Sequence, residues 1–96
     1  MTVRLLLTLA LAGCLGAPPP GTVVIERGPP PEIIEVVEVG NGQGYVWLRG
    51  FWRWDRKDFI WIPGRWALPE RGYRSWAPGR WIRARGGWYW IEGHWQ

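Results

Sequence analysis

The chain has 96 residues, of which ten are Trp, 14 Gly and nine Pro, and a formal net charge of +4. That length holds one small domain and a tail, too little chain to wall off a deep cleft, which argues against an enzyme. The charge is unevenly placed: ten Lys/Arg face four Asp/Glu from Tyr45 onward, against one Arg and four Glu over residues 15–44, so the pattern is a basic module on an acidic, proline-rich tether.

Met1-Thr2-Val3-Arg4 is a short basic start, and Leu5 to Ala12 is an unbroken run of small and apolar residues. This is a secretory h-region, too short to span a bilayer as a mature helix. Leu11-Ala12-Gly13-Cys14 follows, which resembles the bacterial lipobox, where signal peptidase cuts before the cysteine and the thiol carries a diacylglycerol. Residues 1–13 are then the signal peptide and Cys14 the lipidation site. Cys14 is the one cysteine of the chain, so it has no internal disulfide partner, and an incidental cysteine fits its position less well than lipidation. Leu15 stands where an Asp would resemble an inner-membrane retention signal, so the expected location is a lipid-anchored one at the outer membrane, facing the periplasm of a two-membrane bacterium.

Residues 14–44 read as lipid anchor and tether. Pro18-Pro19-Pro20 and Pro29-Pro30-Pro31 impose extended geometry and remove backbone donors, giving a stiff spacer. Thr22-Val23-Val24-Ile25 and Ile33-Ile34-Glu35-Val36-Val37-Glu38-Val39 are rich in β-branched residues, and the second run, 33–39, is a candidate fifth edge strand whose glutamates suit a basic neighbour. Gly40-Asn41-Gly42-Gln43-Gly44 then breaks any continuous element, placing the domain start near Tyr45.

From Tyr45 to Gln96 the frame W-x-x-G-x-W occurs four times, as Trp47-Gly50-Trp52, Trp61-Gly64-Trp66, Trp76-Gly79-Trp81 and Trp90-Gly93-Trp95. It recurs every 14 or 15 residues, right for a strand plus a tight turn. A four-residue turn at Asp55–Asp58 sets Trp54 opposite Phe59, Trp52 opposite Trp61 and Trp47 opposite Trp66. A three-residue loop Glu70-Arg71-Gly72 sets Trp66 opposite Trp76 and Trp61 opposite Trp81, with Gly72 in the left-handed conformation. A turn over Ala84–Gly87 sets Trp81 opposite Trp90 and Trp76 opposite Trp95. The fold expected is therefore all-β, a small four-stranded antiparallel meander with tryptophan ladders 52-61-81-90 and 47-66-76-95. Gly50, Gly64, Gly79 and Gly93 lie between the ladders as structural residues, leaving room for indoles, and Pro63 and Pro78 favour a bulge or bend at mid-strand. The register leaves open whether the ladders share one face of the sheet.

Residues 45–96 resemble the WXXGXW or YXWGXW-repeat family of small, secreted, often lipid-anchored bacterial proteins, including the BcpO-related group. The motifs that carry the resemblance are Tyr45-Val46-Trp47-Leu48-Arg49-Gly50-Phe51-Trp52, Phe59-Ile60-Trp61-Ile62-Pro63-Gly64-Arg65-Trp66, Trp76-Ala77-Pro78-Gly79-Arg80-Trp81 and Trp88-Tyr89-Trp90-Ile91-Glu92-Gly93-His94-Trp95. The third copy departs from the aromatic-x-Trp opening, with Arg74 two residues before Trp76. The resemblance implies a fold and a cell-envelope setting, and brings no catalytic residues.

Ser75, His94, Asp55 and Asp58 supply the types of a hydrolytic triad, but they sit beside turns or the chain end, without a nucleophile-elbow pattern. Asp55 and Asp58 read as turn residues capping their own backbone, and His94 as solvent-facing or flanking a ladder. No clustered metal ligands and no cofactor are expected. Export speaks against nucleic acid, although Arg interleaved with Trp would otherwise suit it. Two readings of function remain. In one, a Trp ladder flanked by Arg49, Arg53, Arg65, Arg74, Arg80 and Arg83 binds anionic glycans such as peptidoglycan or lipopolysaccharide, with rings stacked on sugars and guanidiniums on carboxylates or phosphates. In the other, the module is purely structural or binds an envelope protein, with its ladders as core and covered by the Pro-rich tether or by a partner. About fifty residues are too few to bury ten indoles fully under either reading.

Overall fold

The computed structural model describes residues 15–37, 39–40 and 42–96. Cys14 and the rest of the leader, together with Glu38 and Asn41, lie outside the described residues. The described chain is all-β. Its strands are β1 (Val46–Leu48), β2 (Phe51–Trp54), β3 (Phe59–Ile62), β4 (Arg65–Ala67), β5 (Trp76–Ala77), β6 (Arg80–Ala84), β7 (Gly87–Ile91) and β8 (His94–Trp95). They pair as β1 with β4, β2 with β3, β5 with β8 and β6 with β7. Bulky aromatic and β-branched residues fill these strands, which suits a pleated, half-buried surface.

The first two pairings carry the register expected from the loop at Asp55–Asp58. Trp47 faces Trp66 and Trp52 faces Trp61, with Trp54 opposite Phe59 at the end of the hairpin. In the second half of the domain Trp76 faces Trp95 and Ala77 faces His94. Each long strand is interrupted at the glycine of its frame. Leu48 pairs with Arg65 and Phe51 with Ile62, so two residues are skipped on each side of the break. No residue is inserted, and the interruption is a bend without a bulge.

A single four-stranded sheet does not form, because β4 and β5 are not hydrogen-bonded to each other. The turn between them is present: the Tyr73 amide donates to the Glu70 carbonyl at 3.0 Å, and Gly72 has φ 93°. Beyond it, the backbone bonds to the C-terminal residue. The amides of Arg74 and Ser75 both donate to the Gln96 carbonyl at 3.0 Å, and the Gln96 amide donates to Ser75 at 2.9 Å. These bonds continue the β5–β8 pairing, since the register that sets Trp76 opposite Trp95 also sets Ser75 opposite Gln96. Each hairpin closes on itself instead, through the strands that flank its own loop.

The fifth edge strand expected over 33–39 is also absent, since the described residues of that run form no strand. The earlier β-branched run pairs instead. Ile25 forms an antiparallel bridge with Trp88, with both backbone bonds at 2.8 Å.

By compactness the chain divides into two units. The smaller comprises the described residues up to Gly28 with Trp81–Tyr89, and the larger comprises Pro29–Arg80 with Trp90–Gln96. In the smaller unit the Ile25 bridge is backed by a bond from the Arg85 amide to the Gly16 carbonyl at 2.7 Å. In the larger unit the rings of Phe51 and Trp90 stack at 5.1 Å with 26° between their planes. Among the described residues only Leu48 and Ala84 are buried apolar side chains. All ten tryptophans are half-buried, so packing rests on indole edges and faces more than on a closed core.

Asp55 organises the first turn. Its Oδ1 accepts from the amides of Lys57 at 3.0 Å and Asp58 at 2.8 Å, while Arg56 takes the left-handed conformation at φ 83°. The bond from Asp58, then that from Lys57, and the nearby Arg53 guanidinium hold the Asp55 carboxyl below its ordinary value of 3.8. A depressed carboxylate stabilises the fold above its unfolded value and loses that contribution as pH falls through the folded one. Asp55→Ala is therefore expected to lower Tm at pH 7, with the gap to wild type closing on acidification below 3.8; thermal unfolding followed by near-ultraviolet circular dichroism at several pH values checks this.

Candidate functional site

The first tryptophan of each frame lies on the glycine of the frame it pairs with. A Cβ built on Gly50 would run into Cζ2 of Trp61, and one on Gly64 into Cζ2 of Trp47. The other pair repeats this: Gly79 lies beneath Trp90, and a Cβ on Gly93 would stand 2.5 Å from Cζ2 of Trp76. Glycine is required at the bend because an indole fills the space where a side chain would be. The ring pairs pack edge-on, Trp47 with Trp66 at 5.4 Å, Trp52 with Trp61 at 5.2 Å and Trp76 with Trp95 at 5.0 Å. Such contacts add about 0.5 to 1.5 kcal/mol each beyond burial.

Two frames brought together in this way also aim two backbone amides at one point, and in the first pair that point holds Glu35. The Gly50 amide donates to Glu35 Oε1 at 3.2 Å, and the Gly64 amide donates to Oε1 at 3.1 Å and Oε2 at 3.0 Å. Trp61 adds its indole N–H to Oε2 at 3.4 Å. Both ladders therefore meet on the face that Glu35 occupies, which answers the question of faces for this hairpin. A carboxylate with two amide donors and an indole is stabilised by charge-assisted bonds, stronger than neutral ones. The neighbouring chain follows the same face: Trp52 donates its indole N–H to the Pro31 carbonyl at 3.1 Å, and Arg49 pairs with Glu32 at 2.5 Å. Ile34 and Val36 are 96% and 89% exposed, so this segment turns its acid inward and its aliphatic side chains outward.

The six arginines singled out from the sequence all stand exposed, but the fold does not gather them. Arg49 and Arg65 share one groove of about 280 Å³ with Trp76, Trp90, Pro63 and Pro78. Arg53, Arg74, Arg80 and Arg83 do not line it. The groove also carries Glu32 and Glu92, and the Trp90 indole donates to Glu92 Oε2 at 2.9 Å. His94 is exposed and pairs with Ala77 along the backbone. Among the described residues no three His, Cys, Asp or Glu side chains lie together as a metal site.

Sequence reasoning names the Pro-rich tether as a cover for the aromatic ladders, which the bond from Trp52 to Pro31 bears on, but it misses Glu32 and the capture of Glu35 by glycine amides. The signal for Glu35 lay in the glycines, because a bend with glycine on both strands leaves amides that no side chain advertises.

These features define a class of small all-β repeat domain in which two tryptophan frames form one structural unit. The family whose description is WXXGXW repeat (2 copies) matches residues 42–67, 56–74 and 75–96. The matches span more than half of the chain, and the protein belongs to the WXXGXW repeat family. Two of the three matched ranges coincide with the two hairpins, each holding two frames. No curated protein and no solved structure matches the chain.

The seating of indole on glycine and the capture of Glu35 rank the expected losses. Gly64→Ala forces Trp47 or the bend to move and is expected to cost about 2 kcal/mol, as overpacking does. Glu35→Gln keeps the shape but loses the charge, costing about 1 kcal/mol. Glu32→Gln breaks an ion pair whose side chains are 58% and 67% exposed and is expected to be near neutral. Urea unfolding of the three variants checks the order.

Proposed function

We propose that this chain is a non-catalytic lipoprotein of the cell envelope, anchored through Cys14 at the outer membrane and facing the periplasm. Its tryptophan and arginine module serves there as an interaction and support element. The leader and lipobox-like cysteine support the location. The observation that carries the interaction reading is the groove of the larger unit, where Trp76 and Trp90 lie with Arg49 and Arg65 and both indoles stay partly exposed. Aromatic surface beside guanidinium groups suits an anionic sugar, as in peptidoglycan or lipopolysaccharide: the rings take the apolar sugar face and the arginines the carboxylate or phosphate.

A second reading has its own observation. The bonds from Gly50, Gly64 and Trp61 to Glu35, with that from Trp52 to Pro31, make the Pro-rich segment a cover over the first hairpin. On this reading the ladders are internal packing, and the protein serves as a structural or protein-binding module.

The two readings diverge in tryptophan fluorescence. If the groove binds glycan, emission shifts and becomes protected from acrylamide as peptidoglycan fragments or lipopolysaccharide are added, and Arg65→Glu abolishes the response. Emission unmoved by either glycan, with Arg65→Glu indistinguishable from wild type, removes the glycan reading and leaves the structural one.

A further inference from the structure

The second frame pair repeats the geometry that holds Glu35 in the first. Gly79 and Gly93 occupy the positions of Gly50 and Gly64, each beneath the first indole of the other frame, Trp90 and Trp76. The Ala77 carbonyl lies beside Gly93 as the Leu48 carbonyl lies beside Gly64. The two amide nitrogens lie close together at the shared bend: a Cβ on Gly79 would stand 2.9 Å from the Gly93 nitrogen, and one on Gly93 would stand 2.9 Å from the Gly79 nitrogen. Among the described residues no acceptor is bonded to either amide. Both glycines line the groove that also holds Arg65.

We infer that the Gly79–Gly93 bend is a second carboxylate receptor, and that its ligand is a glutamate side chain on an extended acidic peptide. The first pair sets the chemistry: two glycine amides take the carboxylate, and the flanking chain lies extended along the hairpin with a main-chain carbonyl on an indole. The two receptors differ in one respect. Trp61 gives its indole N–H to the captured carboxylate, whereas Trp90 gives its own to Glu92. The second receptor therefore works with the two amides and Arg65, and Glu92 stands at its rim as a like charge. The arrangement sets the first receptor as permanently filled by the chain itself and the second as the weaker, exchangeable one. This goes beyond the glycan reading and stands or falls separately from it.

The test is an NMR titration of the full chain labelled with ¹⁵N-glycine, using a synthetic peptide of residues 29–37, Pro-Pro-Pro-Glu-Ile-Ile-Glu-Val-Val. The expected result is a saturable downfield movement of the Gly79 and Gly93 amide resonances while those of Gly50 and Gly64 stay in place. The same peptide with both glutamates replaced by glutamine binds at least about fivefold more weakly, the loss of roughly one charge-assisted bond. Glu92→Gln in the protein tightens the peptide about threefold by removing the like charge. Stationary Gly79 and Gly93 signals overturn the inference, as does equal binding of the glutamine peptide. Movement confined to Gly50 and Gly64 overturns it too, because the peptide then only exchanges with the chain's own Glu35.

Discussion

The contact on which the rest of this domain depends is an indole lying on a glycine across a hairpin. Each frame supplies one large flat ring and one position without a side chain, and each ring fits only over the glycine of the other frame. This reciprocity holds two strands in register at the place where both are bent and the ladder of backbone bonds is broken. It also explains how a domain with so little buried apolar side chain holds together: half-buried indoles packed edge to face supply contact area that a core of this length cannot.

The bend has an electrostatic consequence as well. Strand pairing normally consumes amides, but skipping two residues on each side releases the glycine N–H groups toward the face that carries the indoles. Glu35 uses them, and in doing so fastens a segment of high β-propensity without making it a strand. An unpaired aliphatic run of this kind is an aggregation hazard when it adds to a sheet edge. Here the carboxylate of Glu35 is held by glycine amides, and prolines 29–31 precede it where a ladder would have to begin.

Much of the hairpin register was legible because loop length is a strong constraint. Asp55–Asp58 fixes Trp54 against Phe59, and every pairing back to Trp47 with Trp66 follows by counting. The spacing across Glu70–Gly72 was equally regular and predicted its turn, with Gly72 left-handed as its loop requires. It did not predict that β4 and β5 stay apart, because loop length fixes which residues would face each other and not whether the two strands bond. The candidate edge strand at 33–39 does not form, and the earlier β-branched run supplies a bridge instead. Propensity alone favours residues 33–39 over Thr22–Ile25, yet the free amides at the glycine bend draw in the carboxylate of Glu35, and no side-chain motif records a free amide. Of the candidate site, the tryptophans and glycines were legible as a unit; the arginines were not, since exposed cations at alternate positions follow their strands and only Arg49 and Arg65 reach one groove.

The reciprocal seating has a bearing on how such chains change length. A lone frame has a ring with no seat and a seat with no ring, so inserting or deleting one copy strands both an indole in water and a bare backbone at the bend. Adding or removing two adjacent copies leaves every ring matched. Frame number in a chain of this design is thus subject to parity, and four is the second member of an even series.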